Sequence, residues 1–509
     1  MLAPQSVPEP IRVLDLFAGC GGLTEGFHQF RPTAGTKDPV FQSVGAVEWN
    51  PAAAASYAKN FGATSKRYPI SEPPEIFCGD IVDWEPRWEP GEIDVVVGGP
   101  PCQGFSALNR NKVGAERNEL WQQFIRVVVA VQPKVFVIEN VDRFVRSPEF
   151  VDLKKRVGSG DLKNYTFRDA PGTKAEDTPQ QRDRRYLLNA ADYGARQARR
   201  RAIIIGVRTD VDLRVDRMQY PEPTHSKAPL QHQAEIDGLH VPVGQDPWLT
   251  VDDIFDNTDH RPSSGTALPD RTSYVAEAGG SFSGPYKTSD LHITRNPESI
   301  SLARYGAIPP GGNRKDLTGK FTCRFEDGSM ILLKKIGTIR YDDEKLALLG
   351  HYVEVTKGAS TPGTYSVARH DLEPTLIPGR PGRSKSQAWG VTLRDGDRER
   401  RAVLEYLSTD SWDNHNAGSG DVMGRLRRKA PSVTIRTEFF KPEKGRYLHP
   451  TKDRPITHYE AAALQGFPED FLWCGSKIEI AKQIGNAVPI PLGIAIAGAI
   501  HAYLRPTGS

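Results

Sequence analysis

The sequence predicts an α/β fold with a doubly wound, mostly parallel sheet, followed by a second, smaller, loop-rich β domain. Over the first 210 residues, short β-branched runs alternate with helical stretches, the order that builds parallel sheets with helices on both faces. From about 220 to 447 the chain is instead rich in Gly, Pro, Ser, Asp and Arg. A length of 509 residues suits more than one domain. We expect a first domain at 1–218, a second domain at 219–479, and a C-terminal segment at 480–509 that returns to the first domain.

The composition is that of an ordinary folded protein. Apolar residues make up 38% and charged residues 25%, which excludes disordered and collagen-like chains. The formal net charge of +3 argues against a uniformly basic surface. Five scattered cysteines without a C-x-x-C pair predict neither a disulfide framework nor a metal site, and favour a reducing cytoplasm. We expect no signal peptide, because residues 1–10 contain three prolines and no apolar segment. We expect no membrane span, because the longest apolar stretch, 487–500, is short and contains two prolines.

The expected elements follow in chain order. Strands are predicted at 12–17, 43–48, 75–80, 93–97, 135–139 and 202–207, and helices at 23–30, 51–61, 118–131, 455–464 and 491–504. Thr457 and Glu460 have the spacing of a capping box at the start of the fourth helix. Since ligands bind at the carboxyl ends of strands in doubly wound sheets, the residues that follow these strands are the candidates for a functional site.

A glycine-rich turn, Asp15–Leu23, follows the first strand and leads into a helix. Glycines let the backbone approach a ligand, and a helix N-terminus offers N–H donors. The pattern is neither G-x-G-x-x-G nor a P-loop, so we expect no phosphate cradle there. Glu48 and Trp49 end the second strand, where an acid commonly accepts hydrogen bonds from ribose and an indole can cover an adenine. Alone, the glycine-rich turn fits a tight turn between strand and helix equally well, and Glu48 with Trp49 alone favours a surface acid beside a core indole. Together the two motifs favour a nucleotide-like ligand.

The loop Gly98–Ser106 surrounds Cys102 with two glycines, two prolines and Ser106. A rigid, exposed loop at the ligand edge suits a nucleophilic thiol, which needs access and a cationic or N–H-rich setting. Ser106 and the N–H groups of the loop could hold an anion. The other four cysteines are expected to be small, buried, apolar residues.

Two further segments carry charge next to apolar strands. The fifth strand is apolar until it ends in Glu139 and Asn140. The Glu139 carboxyl group could share a proton with a ring nitrogen, or could only cap the next turn.

In an extended chain Gln197, Arg199 and Arg201 lie on one face. Neighbouring arginines suit bidentate contacts to an anion, although a solvated edge strand would look the same.

In this order the motifs resemble those of the cytosine-C5 DNA methyltransferase family, in its prokaryotic modification type. Gln465–Pro468 and Gln483–Pro489 complete the resemblance. It implies a Rossmann-like, SAM-dependent methyltransferase domain at 1–218, a target-recognition domain at 219–479, and a C-terminal segment at 480–509 that returns to the catalytic domain. Arg196 departs from the proline usual before Gln197 in the family.

The resemblance also implies a mechanism and a set of site residues. A methyl group would pass from S-adenosylmethionine to C5 of a flipped-out cytosine, through a covalent Cys102–C6 adduct, leaving S-adenosylhomocysteine and needing no metal. Glu139 would bind the N3 and N4 edge, and Arg201 with Arg199 would brace the cytosine. The implied cofactor-site residues are Phe17, Ala18, Gly19, Leu23, Glu48, Trp49, Asp80, Ile81, Pro101, Leu120, Asn486 and Val488. The implied DNA contacts are Ser106, Arg110, Gln197 and Thr434.

The implied partner is double-stranded DNA, bound by a monomer in the cytoplasm at the nucleoid, with any cognate restriction endonuclease acting separately. Two alternatives stay open: an RNA cytosine-C5 methyltransferase, and a non-catalytic DNA-binding regulator that keeps the fold. Segments 182–208 and 424–446 each carry a net charge of +6. We expect both to line one DNA cleft, with binding that weakens steeply as salt rises.

Overall fold

The computed structural model describes residues 9–506, except for the ranges 34–38, 69–71, 102–119, 212, 229–230, 237–238, 262–264, 339–349, 356–363, 368–372, 375–387 and 415–420. The chain forms two compact units. Unit 1 comprises Met1–Thr294, Arg428–Phe439 and Thr457–Ser509, and unit 2 comprises Arg295–Arg427 and Phe440–Ile456.

This division differs from the boundaries expected at 218/219 and 479/480. Residues 219–294 belong to unit 1 because they are hydrogen-bonded to it: the Thr224 N–H donates to the Asp192 carbonyl, and the Gly475 N–H donates to the Ser283 carbonyl. Residues 457–479 also lie in unit 1, together with the C-terminal segment 480–509.

The N-terminal part of unit 1 alternates strands and helices. Its strands are β1 (Ile11–Leu16), β2 (Phe41–Glu48), β3 (Glu75–Cys78), β4 (Val95–Gly98), β5 (Val135–Val141), β6 (Tyr165–Phe167), β7 (Leu187–Asn189), β8 (Gln197–Ala198), β9 (Arg200–Arg208), β10 (His225–Ser226), β11 (Gln231–Ile236), β12 (Leu239–Gly244), β13 (Asp246–Pro247), β14 (Thr272–Val275), β15 (Gly280–Ser283) and β16 (Tyr286–Lys287). Its helices are α1 (Gly22–Gln29), α2 (Pro51–Phe61), α3 (Leu120–Val131), α4 (Pro148–Arg156), α5 (Pro179–Arg185) and α6 (Asp252–Asp259).

The large sheet of unit 1 has the order β3-β2-β1-β4-β5-β9-β6, with β7 also paired to β9. Strands β1 to β5 run parallel, whereas β9 is antiparallel to β5, β6 and β7. The Rossmann-like α/β arrangement expected from the sequence is therefore present. Strand β4 and residues 135–138 of β5 are apolar and buried on both faces, as parallel strands covered by helices require.

The described residues of unit 2 form α7 (Ser299–Ala307), α8 (Asp410–Asp413) and seven strands. These strands are β17 (Lys320–Phe325), β18 (Met330–Thr338), β19 (Gly350–Glu354), β20 (Thr364–Val367), β21 (Glu373–Pro374), β22 (Ala388–Asp395) and β23 (Arg398–Tyr406). Because β20 pairs with both β19 and β22, six antiparallel strands close into a barrel, and β21 is attached to β22 alone. Phe321, Cys323, Tyr352 and Leu404 fill its interior.

The C-terminal part of unit 1 adds β24 (Ser432–Val433), α9 (His458–Gln465), β25 (Leu472–Trp473), α10 (Lys477–Asn486) and α11 (Ile490–Leu504). The Thr457–Glu460 capping box is present, as predicted. Helix α11 packs closely on α1, because a Cβ added at Gly26 would lie only 2.7 Å from the Gly493 Cα atom. In the described chain no single helix is long and apolar enough to cross a bilayer; only the bent pair α10 and α11 meets that length and composition test together.

Candidate active site

The turn after β1 has a backbone that glycine tolerates and other residues rarely adopt. Phe17 has φ = 56°, Gly19 has φ = 59° and Gly21 has φ = 90°. A left-handed conformation at a non-glycine residue costs about 1–3 kcal/mol and is concentrated at functional sites. A Cβ at Gly21 would lie 2.4 Å from the Phe61 ring, so the turn packs directly on α2.

Glu48 is held by the turn at the carboxyl end of β2. Its Oε2 atom accepts a hydrogen bond from the Gly19 N–H at 2.8 Å, and Oε1 accepts one from the Asn50 N–H at 2.8 Å. Burial raises the pKa of Glu48, and these two N–H groups oppose that shift. The neighbouring Trp49 indole is 69% exposed, as an open surface for a flat ligand requires.

A buried polar chain lies beneath this turn. The Thr24 hydroxyl donates to the Asp15 carboxylate at 2.5 Å, and the Tyr57 hydroxyl joins Thr24 to Ser43 at 3.2 and 2.6 Å. Burial raises the pKa of Asp15 to about 7; the Thr24 hydrogen bond lowers it, and the charge of Glu48 raises it further.

The other residues expected at the cofactor site lie around the same edge of the sheet. Leu23, Ile81 and Val488 are buried in the core cluster, against which Phe17 and Leu120 pack. Asp80 caps the short helix that follows β3, accepting the Val82 N–H at 3.0 Å. Ala18 is buried and donates its N–H to the Val47 carbonyl, Pro101 is partly buried, and Asn486 is exposed. In the described chain, no three His, Cys, Asp or Glu side chains are placed to hold a metal ion together.

Glu139 and Arg201 meet across β5 and β9. The Arg201 Nε atom lies 2.7 Å from Glu139 Oε1, and the two side chains are only 15% and 13% exposed. Gly99 leaves room for this carboxylate, because a Cβ at Gly99 would lie 2.9 Å from Glu139 Oε2. Asn140, which is buried, donates its side-chain N–H to the Pro100 carbonyl at 2.9 Å. The end of β5 therefore fixes the backbone that leads into the Cys102 loop.

Cys102, Ser106 and Arg110 lie outside the described residues. Of the other cysteines, Cys20, Cys323 and Cys474 are buried, as expected of structural thiols, whereas Cys78 is partly exposed.

The side chain of Gln197, a DNA contact that the resemblance implies, is bonded inside the protein. It is fully buried; its Nε2 donates to Gln465 Oε1 at 2.9 Å, and its Oε1 accepts the Ile435 N–H at 2.8 Å. Both ends of the amide are thus used to join β8, α9 and the segment after β24. Thr434, the other described DNA candidate, is half-buried and donates to the Ala198 carbonyl at 3.4 Å.

Arg199 is also an internal residue rather than a neighbour of Arg201 on one face. Its Nη1 donates to the carbonyls of Ile435 and Gly485 at 2.9 and 3.0 Å, and its Nη2 donates to that of Asn486 at 3.4 Å. The expected alternation fails because the Arg199 N–H donates to the Gln197 carbonyl, which makes a tight turn between β8 and β9. Arg199 therefore joins the C-terminal end of α10 to the segment after β24.

The two basic segments do not present all their charge to solvent. Arg425 and Arg446 of unit 2 are each 3% exposed. In unit 1, carboxylates of α6 pair with two further arginines of these segments: Asp253 pairs with Arg196 at 2.8 Å, and Asp252 pairs with Arg428 at 2.7 Å. In the sequence, these partners are indicated only by the cluster of acidic residues at 252–259. Not all of the sixteen basic residues of these segments are therefore available to a ligand.

A glycine turn and an acid at the carboxyl edge of a parallel sheet define this protein as a Rossmann-like α/β protein. More specifically, the chain belongs to the C-5 cytosine-specific DNA methylase family, whose model matches residues 11–267 and 380–502. DNA (cytosine-5)-methyltransferase 1 of Gallus gallus is 28% identical over 97% of this chain, which spans only 30% of that protein. Type II methyltransferase M.AgeI of Thalassovita gelatinovora is 28% identical over 97% of this chain and 100% of its own. The structure of S. pombe Dnmt2 methyltransferase covers 97% of this chain and 99% of its own, with 12% identity and a TM-score of 0.40.

Proposed function

We propose that this protein is a SAM-dependent DNA (cytosine-5)-methyltransferase of the modification type. The Glu139–Arg201 ion pair, at the carboxyl end of β5 and beside Gly99, is the observation that carries the proposal. A carboxyl group with a guanidinium beside it matches the polar edge of cytosine: the carboxyl group faces N3 and the N4 amine, and the guanidinium faces the O2 carbonyl.

The turn after β1 fits the adenosine part of S-adenosylmethionine. Glu48, held by the Gly19 and Asn50 N–H groups, is placed to accept hydrogen bonds from ribose hydroxyls, and the exposed Trp49 indole is placed to cover the adenine. When bound, this cofactor supplies the methyl group for C5. The left-handed backbone of Phe17 and Gly19 lets the chain pass close to the ligand.

Cys102 is proposed as the nucleophile. Its thiolate adds to C6 of the flipped-out cytosine, and the C5=C6 electron pair moves to C5. Glu139 holds the proton at N3 that neutralises the developing charge on the ring, and Arg201 keeps the Glu139 carboxyl group in place. After C5 is methylated, a base removes H5 and the C6–sulfur bond breaks, which frees Cys102. Asn140 acts by holding the Pro100 carbonyl, which lies just before Cys102 in the Gly98–Ser106 loop.

The proposed substrate is double-stranded DNA and the proposed compartment is the cytoplasm, with the chain acting as a monomer. The test is transfer of a labelled methyl group to duplex DNA and, in parallel, to tRNA, followed by bisulfite sequencing of DNA from a host that expresses the protein. Transfer to duplex DNA at a fixed sequence is expected. Transfer to tRNA alone would favour the RNA enzyme, and cofactor and DNA binding without any transfer would favour a regulator; either result would overturn the proposal.

A further inference from the structure

Unit 1 contains a cavity of about 470 Å³ beside β6, the strand that ends the order of the large sheet. Its wall is built from the C-terminal end of α4, strand β6, the loop 169–177, helix α5 and Tyr186. A volume of this size is typical of sites for small organic ligands. No residue assigned above to the cofactor or to cytosine lines this cavity.

Two carboxylates in the wall have their charge matched by neighbours. Lys154 Nζ donates to both oxygens of Asp183, at 2.8 and 2.6 Å. Asp177 pairs with Arg185 at 3.3 Å and accepts the Lys174 N–H at 3.0 Å. These pairs hold α4, α5 and the 169–177 loop together, and their charges are not available to a ligand.

Two other charged groups in the wall have no such match. Asp169 is exposed and has neither a hydrogen bond nor an ion pair within the described part of the chain. Arg182 is also exposed; it donates from Nη2 to the Ala175 carbonyl at 3.1 Å, and no described carboxylate pairs with it. The cavity therefore offers one uncompensated negative charge and one uncompensated positive charge.

The Tyr186 hydroxyl is a third unmatched group. Tyr186 lines the cavity, is 8% exposed, and its hydroxyl makes no hydrogen bond to any described residue. Burial raises the pKa of Tyr186 to about 12; the charges of Asp169 and Asp183 raise it further, and that of Arg182 lowers it. The charged groups of the wall therefore act on this hydroxyl. A nearly buried hydroxyl without a partner costs free energy, which a ligand that bonds to it would recover.

We propose that this cavity binds a small zwitterion of the amino-acid type with an apolar side chain. Its ammonium group pairs with Asp169 and its carboxylate with Arg182, and one of its polar groups bonds to the Tyr186 hydroxyl. The apolar side chain packs against Val157 and Phe167, which lie on the core cluster. A ligand with one charge of each sign matches both free groups, whereas a cation or an anion would leave one of them unpaired. The proposal is independent of methyl transfer and goes beyond the proposed function.

The first test is an NMR titration of the full chain with L-phenylalanine, 3-phenylpropionate and 2-phenylethylamine. The last two probes keep the ring, but the first of them lacks the ammonium group and the second lacks the carboxylate. L-Phenylalanine is expected to bind at least about tenfold more tightly than either analogue, because each charge-assisted contact contributes about that factor. No binding of L-phenylalanine, or equal affinity of one analogue, would overturn the proposal.

The second test assigns the two charges to their residues. Asp169→Asn and Arg182→Gln are each expected to weaken the binding of L-phenylalanine about tenfold. Glu176→Gln and Arg184→Gln are the matched controls, since both residues are exposed in the same segment and neither lines the cavity. Unchanged affinity in both wall variants, or an equal loss in the controls, would overturn the proposal.

Tyr186→Phe separates a hydroxyl that faces a ligand from one that holds the fold. The variant should weaken the binding of L-phenylalanine severalfold and leave the melting temperature unchanged, because no described group loses a hydrogen bond. A lower melting temperature with unchanged affinity would overturn the proposal. Failure of the proposed function would appear differently, as protein that binds L-phenylalanine but transfers no methyl group to duplex DNA.

Discussion

The Glu139 carboxylate and the Arg201 guanidinium form an ion pair across two antiparallel strands, with 2.7 Å between Oε1 and Nε. Residue 139 faces residue 203 in the strand register, so Arg201 reaches Glu139 diagonally. Both side chains are about seven-eighths buried, which limits screening by solvent and keeps the carboxyl group in one orientation.

Gly99→Ala should lower methyl transfer by about a hundredfold, because a catalytic group displaced by about 1 Å loses that much rate. The added Cβ would lie 2.9 Å from Glu139 Oε2 and would push the carboxylate away from its place. Gly280→Ala is the matched control, since its Cβ would meet only the Phe282 ring at 3.7 Å. Steady-state kinetics with saturating DNA and cofactor measure the effect; equal activity of the two variants would contradict the placement of Glu139.

Glu48→Gln should weaken cofactor binding by about tenfold, because an amide has one acceptor oxygen where the carboxylate serves two N–H groups. Calorimetric titration with S-adenosylhomocysteine measures the change. Glu85→Gln changes the charge equally at an exposed residue paired with Arg126, and should bind as wild type does. A normal dissociation constant for Glu48→Gln would rule out the ribose contact.

Arg199→Met should destabilise the protein by about 2–4 kcal/mol, because the carbonyls of Ile435 and Gly485 lose a charged donor. Arg200→Met, at an exposed neighbour whose Nε lies 3.7 Å from Asp142, should change stability by less than about 1 kcal/mol. Urea denaturation gives both values. Equal stability of Arg199→Met and Arg200→Met would contradict the claim that the buried Arg199 guanidinium stabilises the fold.

Asp15→Asn should change how stability depends on pH. The pKa of Asp15 is raised from 3.8 to about 7, so the folded state holds a proton that the unfolded state releases. The contribution of Asp15 to the stability of wild type therefore falls as pH rises from about 4 to 7, and it does not change further above pH 7. Asparagine can still accept the hydrogen bond from Thr24 but does not titrate. The free energy of unfolding of the variant should therefore rise relative to that of wild type between pH 4 and 7. A difference that is constant between pH 4 and 7 would contradict the raised pKa.

Local signals in the sequence were sufficient for the elements that build the cofactor edge. Helix Pro51–Phe61 has the predicted bounds, since Pro51 can begin a helix and Asn50 caps it. Glu48 and Gly19 were assigned to one site because both follow parallel strands, and they are joined by a hydrogen bond. The bounds of this helix depend on residues close in sequence. The position of Glu48 beside Gly19 follows from the rule that the carboxyl ends of parallel strands lie at one edge of the sheet.

The sequence could not predict contacts that depend on distant segments. Arg199 and Gln197 look like surface residues by alternation, but their partners lie beyond residue 430 and bury them. Likewise Arg425 reads as part of a basic DNA-binding run, although Tyr305, Ile308 and His449 enclose it. The barrel was not predicted strand by strand, because β23 begins with the exposed charged residues 398–401 and lacks an alternating apolar pattern there.

The proposed attack of Cys102 on C6 is tested most directly by trapping the adduct on duplex DNA that contains 5-fluorocytosine, in the presence of S-adenosylmethionine. Fluorine at C5 cannot leave as a proton does, so the covalent complex should accumulate and survive denaturing electrophoresis. Wild type and Cys78→Ser should form it, and Cys102→Ser should not. A complex that persists in Cys102→Ser, or its absence from wild type that methylates ordinary DNA, would contradict the mechanism.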